Sequence, residues 1–347
     1  MLPIFDGHND VLLRLARKAE SDGGVASFLD GDGDGHLDLP RAKAGGLAGG
    51  LFAVFVPSHE LEGDRDEMMR AAEYDVPLPA QTELTYAQGY ALQLISTLLR
   101  TARNSGGEVR VCCDAAEIRE SMESGALATV LHIEGAEPID GDFKMLEVLH
   151  AAGLRSLGIV WSRPNIFGHG VPFRFPSSPG TGSGLTEAGR ALVKACNDLK
   201  ILIDLSHLNE AGFWDVASLT DAPLVASHSN AHALCPHSRN LTDRQLAAIR
   251  ETGGLVGVNF ATCFLRRDGR MLADTPLEDI VRHTDHLIEH LGIGGVGFGS
   301  DFDGAVIPAA MGSVAGLPKL VEAFRAAGYD EATLKQLCLE NWLRVLE

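Results

Sequence analysis

The sequence predicts a single (β/α)8 barrel of the TIM type, an α/β fold. Eight short apolar runs rich in Val, Ile, Leu and Phe recur along the 347 residues, and most are separated by segments with helical periodicity. Buried strands that alternate with helices are typical of a parallel βα architecture, and eight strands fit a closed barrel best. The runs are residues 2–10, 51–57, 128–135, 155–162, 201–207, 223–229, 254–260 and 295–304.

Helical periodicity is clearest in residues 86–102, 185–199, 241–252 and 276–291. A doubly wound fold is the main alternative, but no GxGxxG follows the first run. The glycine-rich stretch at residues 41–50 precedes the second run instead, where we expect glycine to allow a turn and close packing of the backbone. The barrel is therefore the better prediction.

Polar residues stand at the C-terminal side of nearly every run. In barrels of this kind the active site lies at the C-terminal ends of the strands, so we expect these residues to converge. They are Asp10, His8, Ser58, His59, Glu134, Ser162, Arg163, His207, His228, Asn259, Asp301 and Asp303.

Composition excludes several classes of partner. With 29 Lys and Arg against 47 Asp and Glu, the formal net charge is −18, and no basic run is present, so we expect no nucleic-acid partner. No apolar run reaches the roughly 18 residues of a membrane span. The hydrophobic content of 45% is ordinary for a globular enzyme.

The expected compartment is the cytoplasm. The six cysteines show no CxxC spacing, which is typical of free thiols in a chain of this length. The polar HND stretch begins at residue 8, which leaves no room for a signal peptide.

We expect residues 1–347 to form one domain, because no repeat or linker divides the chain. Loop insertions near residues 20–40, 58–84 and 163–185 are expected to act as lids or mobile segments. A homodimer is a candidate assembly.

His8 and Asp10 are the first candidate metal ligands. Residues two apart on a strand share a face and lie ~7 Å apart, which is close enough to bind one ion. The alternative is a turn in which Asp10 caps the helix that begins at Val11. Asp6 shares this face one step deeper, so we expect it to support a ligand at most.

Three further candidates stand at the ends of other runs: Glu134, His207 and His228. A single His at a strand end is more often a hydrogen-bonded structural residue, but the five residues together have the N/O composition that suits zinc or another divalent transition metal. Five ligands exceed one tetrahedral site and a carboxylate can bridge two ions, so we predict two divalent metal ions, Zn²⁺ in both positions. His132 lies deeper in its strand and is interpreted as a supporting or core residue.

Asp301 is the candidate catalytic residue. It comes first after the last run, where a carboxylate facing a metal-bound water can act as general base and then as general acid. Asp303 and Gly304 are expected to shape the turn. Arg239, in the loop after the sixth run, is suited to bind a substrate carboxylate.

Residues 30–41 resemble a calcium-binding EF-hand loop. Asp stands at loop positions 1, 3 and 5 and Gly at position 6, but position 12 is Arg41 where a bidentate Glu is required. We therefore expect a solvated acidic loop.

Several motifs in order resemble the renal or membrane dipeptidase family, from residue 4 to about residue 345. The resemblance implies a (β/α)8 barrel whose binuclear zinc centre hydrolyses dipeptides by a bridging hydroxide, often L-Xaa-D-Xaa dipeptides. The motifs are DGHND (6–10), DLPR (38–41), IEG (133–135), GLT (184–186), DLSH (204–207), SHSN (227–230), SRN (238–240), VNF (258–260) and GFGSDFDG (297–304).

The resemblance also implies a role for each site residue. His8 and Asp10 would bind the first metal, and His207 and His228 the second. Glu134 would bridge the two ions. By the same resemblance, Asp301 matches the acid/base carboxylate and Arg239 matches the arginine that holds the terminal carboxylate of the dipeptide.

One position departs from the family. Its members commonly carry a His just after the fourth strand, where this sequence has Trp161. His169 or Arg163 could take over that role. His169 and Asn259 are the remaining candidates for substrate binding.

Two other functions are alternatives for this set of residues. A lactonase or phosphotriesterase usually has His-x-His on the first strand and often a carbamylated lysine, so Asp10 and Glu134 argue against this class. A non-catalytic barrel protein is disfavoured because all six metal and acid/base positions are filled.

Overall fold

The structure, a computed structural model, describes residues 2–18, 24–58 and 62–347. His59 and parts of the insertions predicted near residues 20–40 and 58–84 lie outside this range. The strands are β1 (Ile4–Asn9), β2 (Leu47–Phe55), β3 (Tyr74–Asp75), β4 (Val109–Val111), β5 (Leu127–Glu134), β6 (Leu154–Gly158), β7 (Arg174–Phe175), β8 (Leu202–Asp204), β9 (Val225–Ser229), β10 (Leu255–Asn259) and β11 (Val296–Gly299).

Eight of these strands form a closed parallel barrel, in the order β2-β1-β11-β10-β9-β8-β6-β5. Seven residue pairs from Gly49↔Ala128 to Phe55↔Glu134 join β2 to β5 and close the ring. Each barrel strand overlaps one of the eight apolar runs, so the (β/α)8 prediction is confirmed. Strand β4 pairs with the start of β5 alone and stands outside the ring.

The four segments with clear helical periodicity form helices, namely α5 (Leu84–Asn104), α8 (Glu187–Asp198), α10 (Asp243–Glu251) and α12 (Glu278–Leu291). Short 3-10 turns cover residues 293–295 and 314–316, and residues 336–340 form a π-helix. The helices are α1 (Val11–Ala16), α2 (Val25–Asp30), α3 (Leu39–Gly45), α4 (Glu62–Met68), α5 (Leu84–Asn104), α6 (Ala115–Glu123), α7 (Lys144–Ala151), α8 (Glu187–Asp198), α9 (Glu210–Ala217), α10 (Asp243–Glu251), α11 (Thr262–Leu265), α12 (Glu278–Leu291), α13 (Leu317–Ala326), α14 (Glu331–Lys335) and α15 (Asn341–Leu346).

Trp342 on α15 packs where the barrel strands begin. Its indole Nε1 donates a 2.8 Å hydrogen bond to the Phe298 carbonyl, and the ring packs beside Phe5 with centroids 5.9 Å apart. A Cβ on Gly7 would lie 2.1 Å from the indole, so only glycine leaves room for it there. This apolar packing fills one end of the barrel, and the polar strand ends lie at the other.

Two of the insertions contact each other beside the polar end of the barrel. Strands β3 and β7 pair antiparallel, with Tyr74 opposite Phe175 and Asp75 opposite Arg174. Tyr74 also donates a 2.6 Å hydrogen bond to the Gly269 carbonyl. This small sheet holds the segments after β2 and after β6 in fixed relation to the barrel.

Candidate metal centre and active site

The C-terminal end of β1 carries His8 and Asp10, and both are buried. His8 Nε2 lies 3.4 Å from Asp10 Oδ2 and 3.6 Å from Glu134 Oε1. Helix α1 begins directly after Asp10, but the Asp10 side chain makes no capping hydrogen bond to it. This geometry argues against the capping alternative and leaves the carboxylate for the barrel interior.

The other three predicted ligands meet the first two at the same point. Glu134 Oε1 lies 2.9 Å from His207 Nε2 and 3.4 Å from His228 Nε2. The two imidazole Nε2 atoms are 3.1 Å apart. The structure therefore brings together all five residues that the sequence singled out, from the ends of β1, β5, β8 and β9.

A serine hydroxyl contacts Nδ1 of two of the imidazoles, and at His228 the hydrogen bonds place the lone pair on Nε2. Ser227 Oγ donates to Asp204 Oδ2 at 2.5 Å, so it accepts from His228 Nδ1 at 2.7 Å. Ser162 Oγ lies 2.9 Å from His207 Nδ1 in the equivalent position. Burial holds the pKa of both imidazoles well below the usual value, helped by the charge of Arg239 at His207 and by those of His8 and Arg239 at His228, and metal ligands must be neutral in this way.

Negative charge dominates the rest of the cluster. Burial alone would lower the pKa of His8, but the carboxylates of Glu134 and Asp10 raise it to about 10. Burial raises the pKa of Glu134 well above its usual value, and the charges of Asp10 and Asp301 add to this. The carboxylates therefore require a positive charge beside them.

The residues fit a bound divalent cation. Both ring nitrogens of His8 and Oδ1 of Asp10 are buried without a hydrogen-bond partner among the described residues. His8, Glu134 and His228 bring their donor atoms within 4.8 Å of one another, and so do His8, Asp10 and Asp301. Imidazole and carboxylate donors in this arrangement suit zinc and related metals.

Asp301 lies beside this cluster in a left-handed backbone conformation, with φ of 60°. Asn259 Nδ2 donates a 2.9 Å hydrogen bond to Asp301 Oδ2, and Asn259 Oδ1 accepts from the Ala261 amide. Burial, with the charge of Asp10, raises the pKa of Asp301. The Asn259 amide thus contacts Asp301. Asp301 lines the cavity, whereas Asn259 is not among the described residues that line it.

Two deeper residues predicted as supports have defined partners. Asp6 accepts hydrogen bonds of 2.7 Å from both the amide and the hydroxyl of Ser300, the residue before Asp301. His132 Nδ1 bonds Ser156 Oγ at 2.9 Å, and burial lowers its pKa to about 3. The contacts of Asp6 thus anchor the turn that carries Asp301.

A cavity of about 300 Å³ lies over the cluster. Asp10, Glu134, His207 and Asp301 form its polar floor, while aromatic rings and other apolar side chains form much of the wall. An apolar pocket with few convergent polar groups is typical of a small-molecule site. The aromatic residues are Phe55, Trp161, Phe173 and Phe264.

Arg239 is buried behind this floor. Its Nη2 lies 3.2 Å from His207 Nε2 and donates to the His228 carbonyl at 3.2 Å, and its Cζ is 5.3 Å from the Phe264 ring centroid. The His237 ring accepts a hydrogen bond from the Arg239 amide. The guanidinium therefore stands directly beside the predicted ligands.

The two candidates that could compensate for Trp161 lie elsewhere. His169 is exposed and lines a separate groove with Asp75 and Arg174. Arg163 is buried, 3.0 Å from Glu137 Oε1, and it donates to Ser58 Oγ at 2.7 Å. The structure thus brings neither side chain to the cavity wall.

Arg65 on α4 occupies the wall instead, and the sequence did not single it out. Its Cζ lies 5.9 Å from the Trp161 ring centroid and 5.7 Å from that of Phe173. Nothing in the local sequence distinguishes Arg65 from Arg70, five residues later. Which of the two faces the cavity depends on how the insertion folds.

The EF-hand-like loop is neutralised by side chains of this chain. Asp32 pairs with Lys18 and lies 3.7 Å from Arg14. Arg41, at loop position 12, donates to the Gly35 carbonyl at 2.7 Å and to the Asp34 carbonyl at 2.5 Å, so its guanidinium binds the loop itself. The loop also contacts the active-site turn through a 2.6 Å hydrogen bond from the His36 amide to Asp303.

No helix within residues 2–18, 24–58 and 62–347 is long and apolar enough to cross a membrane.

A parallel barrel with histidines and carboxylates at its C-terminal end, and a cavity above them, is the arrangement of a metal-dependent hydrolase built on a TIM-type barrel. The family model for the membrane dipeptidases, peptidase family M19, matches residues 1–347. The chain belongs to this family, as its motifs indicated. Metal-dependent hydrolysis of dipeptides is the activity that this membership supports.

Three relatives illustrate the similarity. A metallopeptidase from Rhodobacter sphaeroides, solved with a phosphinate mimic of L-Ala-D-Ala, is 56% identical with a TM-score of 0.97, over 99% of this chain and 98% of that one. The dipeptidase AC, an M19 metallopeptidase, is also 56% identical with a TM-score of 0.97, over 100% and 98%. An uncharacterized protein in the pqqA 5' region of Klebsiella pneumoniae is 53% identical over 74% of this chain and 94% of its own length.

Proposed function

We propose that this protein hydrolyses dipeptides of the L-Xaa-D-Xaa type with two zinc ions. His8 and Asp10 would hold one ion, His207 and His228 the other, and Glu134 would contact both. The single observation that carries the proposal is the convergence of these five buried side chains, two of which, His8 and Asp10, have donor atoms without a hydrogen-bond partner among the described residues.

The proposed mechanism assigns each step to a side chain of this chain. Bound divalent ions would supply Lewis acidity, which polarises the scissile carbonyl and lowers the pKa of water. Arg239 orients the substrate by its terminal carboxylate, for which a guanidinium is a bidentate partner. The aromatic wall of the cavity excludes bulk water from the peptide bond.

Asp301 moves the proton. Its Oδ2 is held by Asn259, so Oδ1 accepts a proton from the attacking water and donates it to the departing amine. The raised pKa of this buried carboxyl suits both halves of the task, because a general acid/base works best near the operating pH. Asn259 is thus proposed as a positioning residue for Asp301.

The preference for a D-residue at the C-terminal position rests on similarity. The Rhodobacter relative was solved with a mimic of L-Ala-D-Ala, and 56% identity over nearly the whole chain supports a common substrate class.

Metal removal and substrate comparison test the proposal together. The chelated protein is titrated with Zn²⁺, and hydrolysis of L-Ala-D-Ala, L-Ala-L-Ala and L-Ala-D-alaninamide is followed. We expect activity to return as two equivalents of metal bind, with L-Ala-D-Ala the best substrate. A single equivalent at full activity would contradict the two-ion centre, and no hydrolysis by the loaded protein would contradict the function.

We also propose that the protein resides in the cytoplasm. All six cysteines are free thiols, and five of them are buried, which supports a reducing compartment. Assembly as a homodimer stays a proposal that size-exclusion chromatography with light scattering would test.

A further inference from the structure

Arg65 presents an open guanidinium to the cavity. Its Nε donates a 2.9 Å hydrogen bond to Asp66 Oδ1, which fixes the orientation of the guanidinium. Both Nη nitrogens have no hydrogen-bond partner within the part of the chain that the structure describes. The side chain is 24% exposed, so it is reached through the cavity and is partly shielded from bulk water.

Two aromatic rings link Arg65 to one side of the candidate metal centre. Trp161 and Phe173 lie under the guanidinium, and the same rings pack against His207 with centroids 5.7 and 6.2 Å from it. Arg239 Nη2 also stands 3.2 Å from His207. Both arginines therefore lie on the His207 side of the cavity.

Carboxylates lie on the opposite side of the cavity. Asp10 and Asp301 group with His8, with donor atoms within 4.8 Å of one another. If Arg239 holds the terminal carboxylate of the substrate, the C-terminal residue lies on the His207 side. Its side chain then extends towards the outer wall, where Arg65 stands.

The acidic residues near this wall are already paired. Asp66 is bound by Arg65 itself, and Asp303 Oδ2 lies 3.3 Å from Arg14 Nε. Because Asp66 is held at Nε, a substrate carboxylate could reach the Nη end of Arg65 without displacing it. Bidentate pairing of a guanidinium with a carboxylate is strong and geometrically specific, and more so when rings exclude water.

We infer that Arg65 selects dipeptides whose C-terminal residue has a carboxylate side chain, such as D-Asp or D-Glu. This inference rests on the proposed dipeptidase function and adds a substrate class to it. Arg65 acts as a specificity-determining residue, and the chemistry at the scissile bond does not require it.

Steady-state kinetics of the zinc-loaded enzyme test the inference with L-Ala-D-Glu, its amide isostere L-Ala-D-Gln, L-Ala-D-Ala and the positional isomer L-Glu-D-Ala. Arg65→Met should lower kcat/KM for L-Ala-D-Glu by roughly 10- to 100-fold, mainly through KM, because charge-assisted hydrogen bonds are lost. For the other three substrates, kcat/KM should change by less than about threefold.

Two further variants sharpen the comparison. Arg65→Lys keeps the charge without the fork and should retain part of the preference for D-Glu. Arg70→Met removes a 57% exposed arginine from the same segment and should match wild type. Calorimetric titration of the products gives a readout without turnover: D-Glu should bind wild type more tightly than D-Gln does, and Arg65→Met should remove the difference.

An equal loss on all four substrates in Arg65→Met, or a loss confined to L-Glu-D-Ala, would overturn the inference. So would wild-type enzyme that hydrolyses L-Ala-D-Ala but treats D-Glu and D-Gln alike. Metal content is measured for every variant, so a disturbed metal centre is recognised. If the loaded wild-type enzyme hydrolyses none of the four dipeptides, the proposed function itself fails.

Discussion

Replacing Ser227 by alanine should weaken metal binding without touching a predicted ligand. The Ser227 hydroxyl connects two buried groups: it donates to Asp204 Oδ2 at 2.5 Å and accepts from His228 Nδ1 at 2.7 Å. Asp204 is itself held by the amides of Ser227 and Ser206, so the chain of hydrogen bonds is rigid. The hydroxyl thus fixes both the tautomer and the ring orientation of His228.

The magnitude follows from these two hydrogen bonds. Loss of a hydrogen bond that orients a metal-ligating histidine typically costs 10- to 100-fold in metal affinity, or about 1.4 to 2.8 kcal/mol. The metal-free protein should also lose stability, by about 1 to 3 kcal/mol for each buried polar group left unpaired. The imidazole Nδ1 and Asp204 Oδ2 are the two groups concerned.

Zinc affinity is measured by competition with a chromophoric chelator, and stability by urea unfolding of the metal-free protein. Ser229→Ala is the matched control, because Ser229 lies on the same strand and its hydroxyl has only a 3.5 Å contact with Arg239 Nη1 among the hydrogen bonds of the described residues. The control should keep wild-type affinity. If Ser227→Ala also bound zinc as tightly as wild type, the role assigned to the His228 hydrogen bond would be refuted.

Three further changes test the active site and the pH response. Asp301→Asn should lower kcat by roughly 10²- to 10⁴-fold with the metal content unchanged, and retained activity would remove Asp301 from its role. Arg239→Met should reduce kcat/KM about 100-fold for dipeptides with a free terminal carboxylate and far less for their amides, whereas an equal loss on both would argue against carboxylate binding. Burial lowers the pKa of His283 to about 3, so its contribution to stability is present above the unfolded value near 6.5 and is lost as pH falls towards 3. His283→Gln can keep the hydrogen bonds to Ala231 and Leu265. It should reduce the slope of the unfolding free energy against pH by about 1.4 kcal/mol per pH unit between pH 6 and 4. An unchanged slope, measured by urea unfolding at each pH, would contradict this.

The barrel could be predicted because its signals are local. Each barrel strand lies in or overlaps an apolar run of seven to ten residues, and α8 or α12 shows its periodicity within its own segment. Strands β3, β4 and β7 escaped prediction, since they are two or three residues long, lie outside the apolar runs and pair with segments elsewhere in the chain. Short strands of this kind carry too little sequence pattern to be recognised alone.

The candidate metal ligands could also be predicted, because strand ends of a parallel barrel converge wherever the fold forms. Their positions at the C-terminal ends of three apolar runs were enough to group His8, Glu134 and His228. The sequence likewise identified the departure at Trp161, although it had no means to find what stands opposite that ring.

The amino-acid sequence alone was sufficient for the fold class, the family and the set of residues at the barrel end, since all three depend on patterns read along the chain. The partners of those residues depended on folding. Whether Asp10 caps a helix, what Asn259 contacts, and which arginine reaches the cavity are contacts between segments far apart in sequence. Arg65 faces the rings of Trp161 and Phe173 from an insertion about 100 residues away. Such a contact is decided by packing in three dimensions, and no local periodicity encodes it.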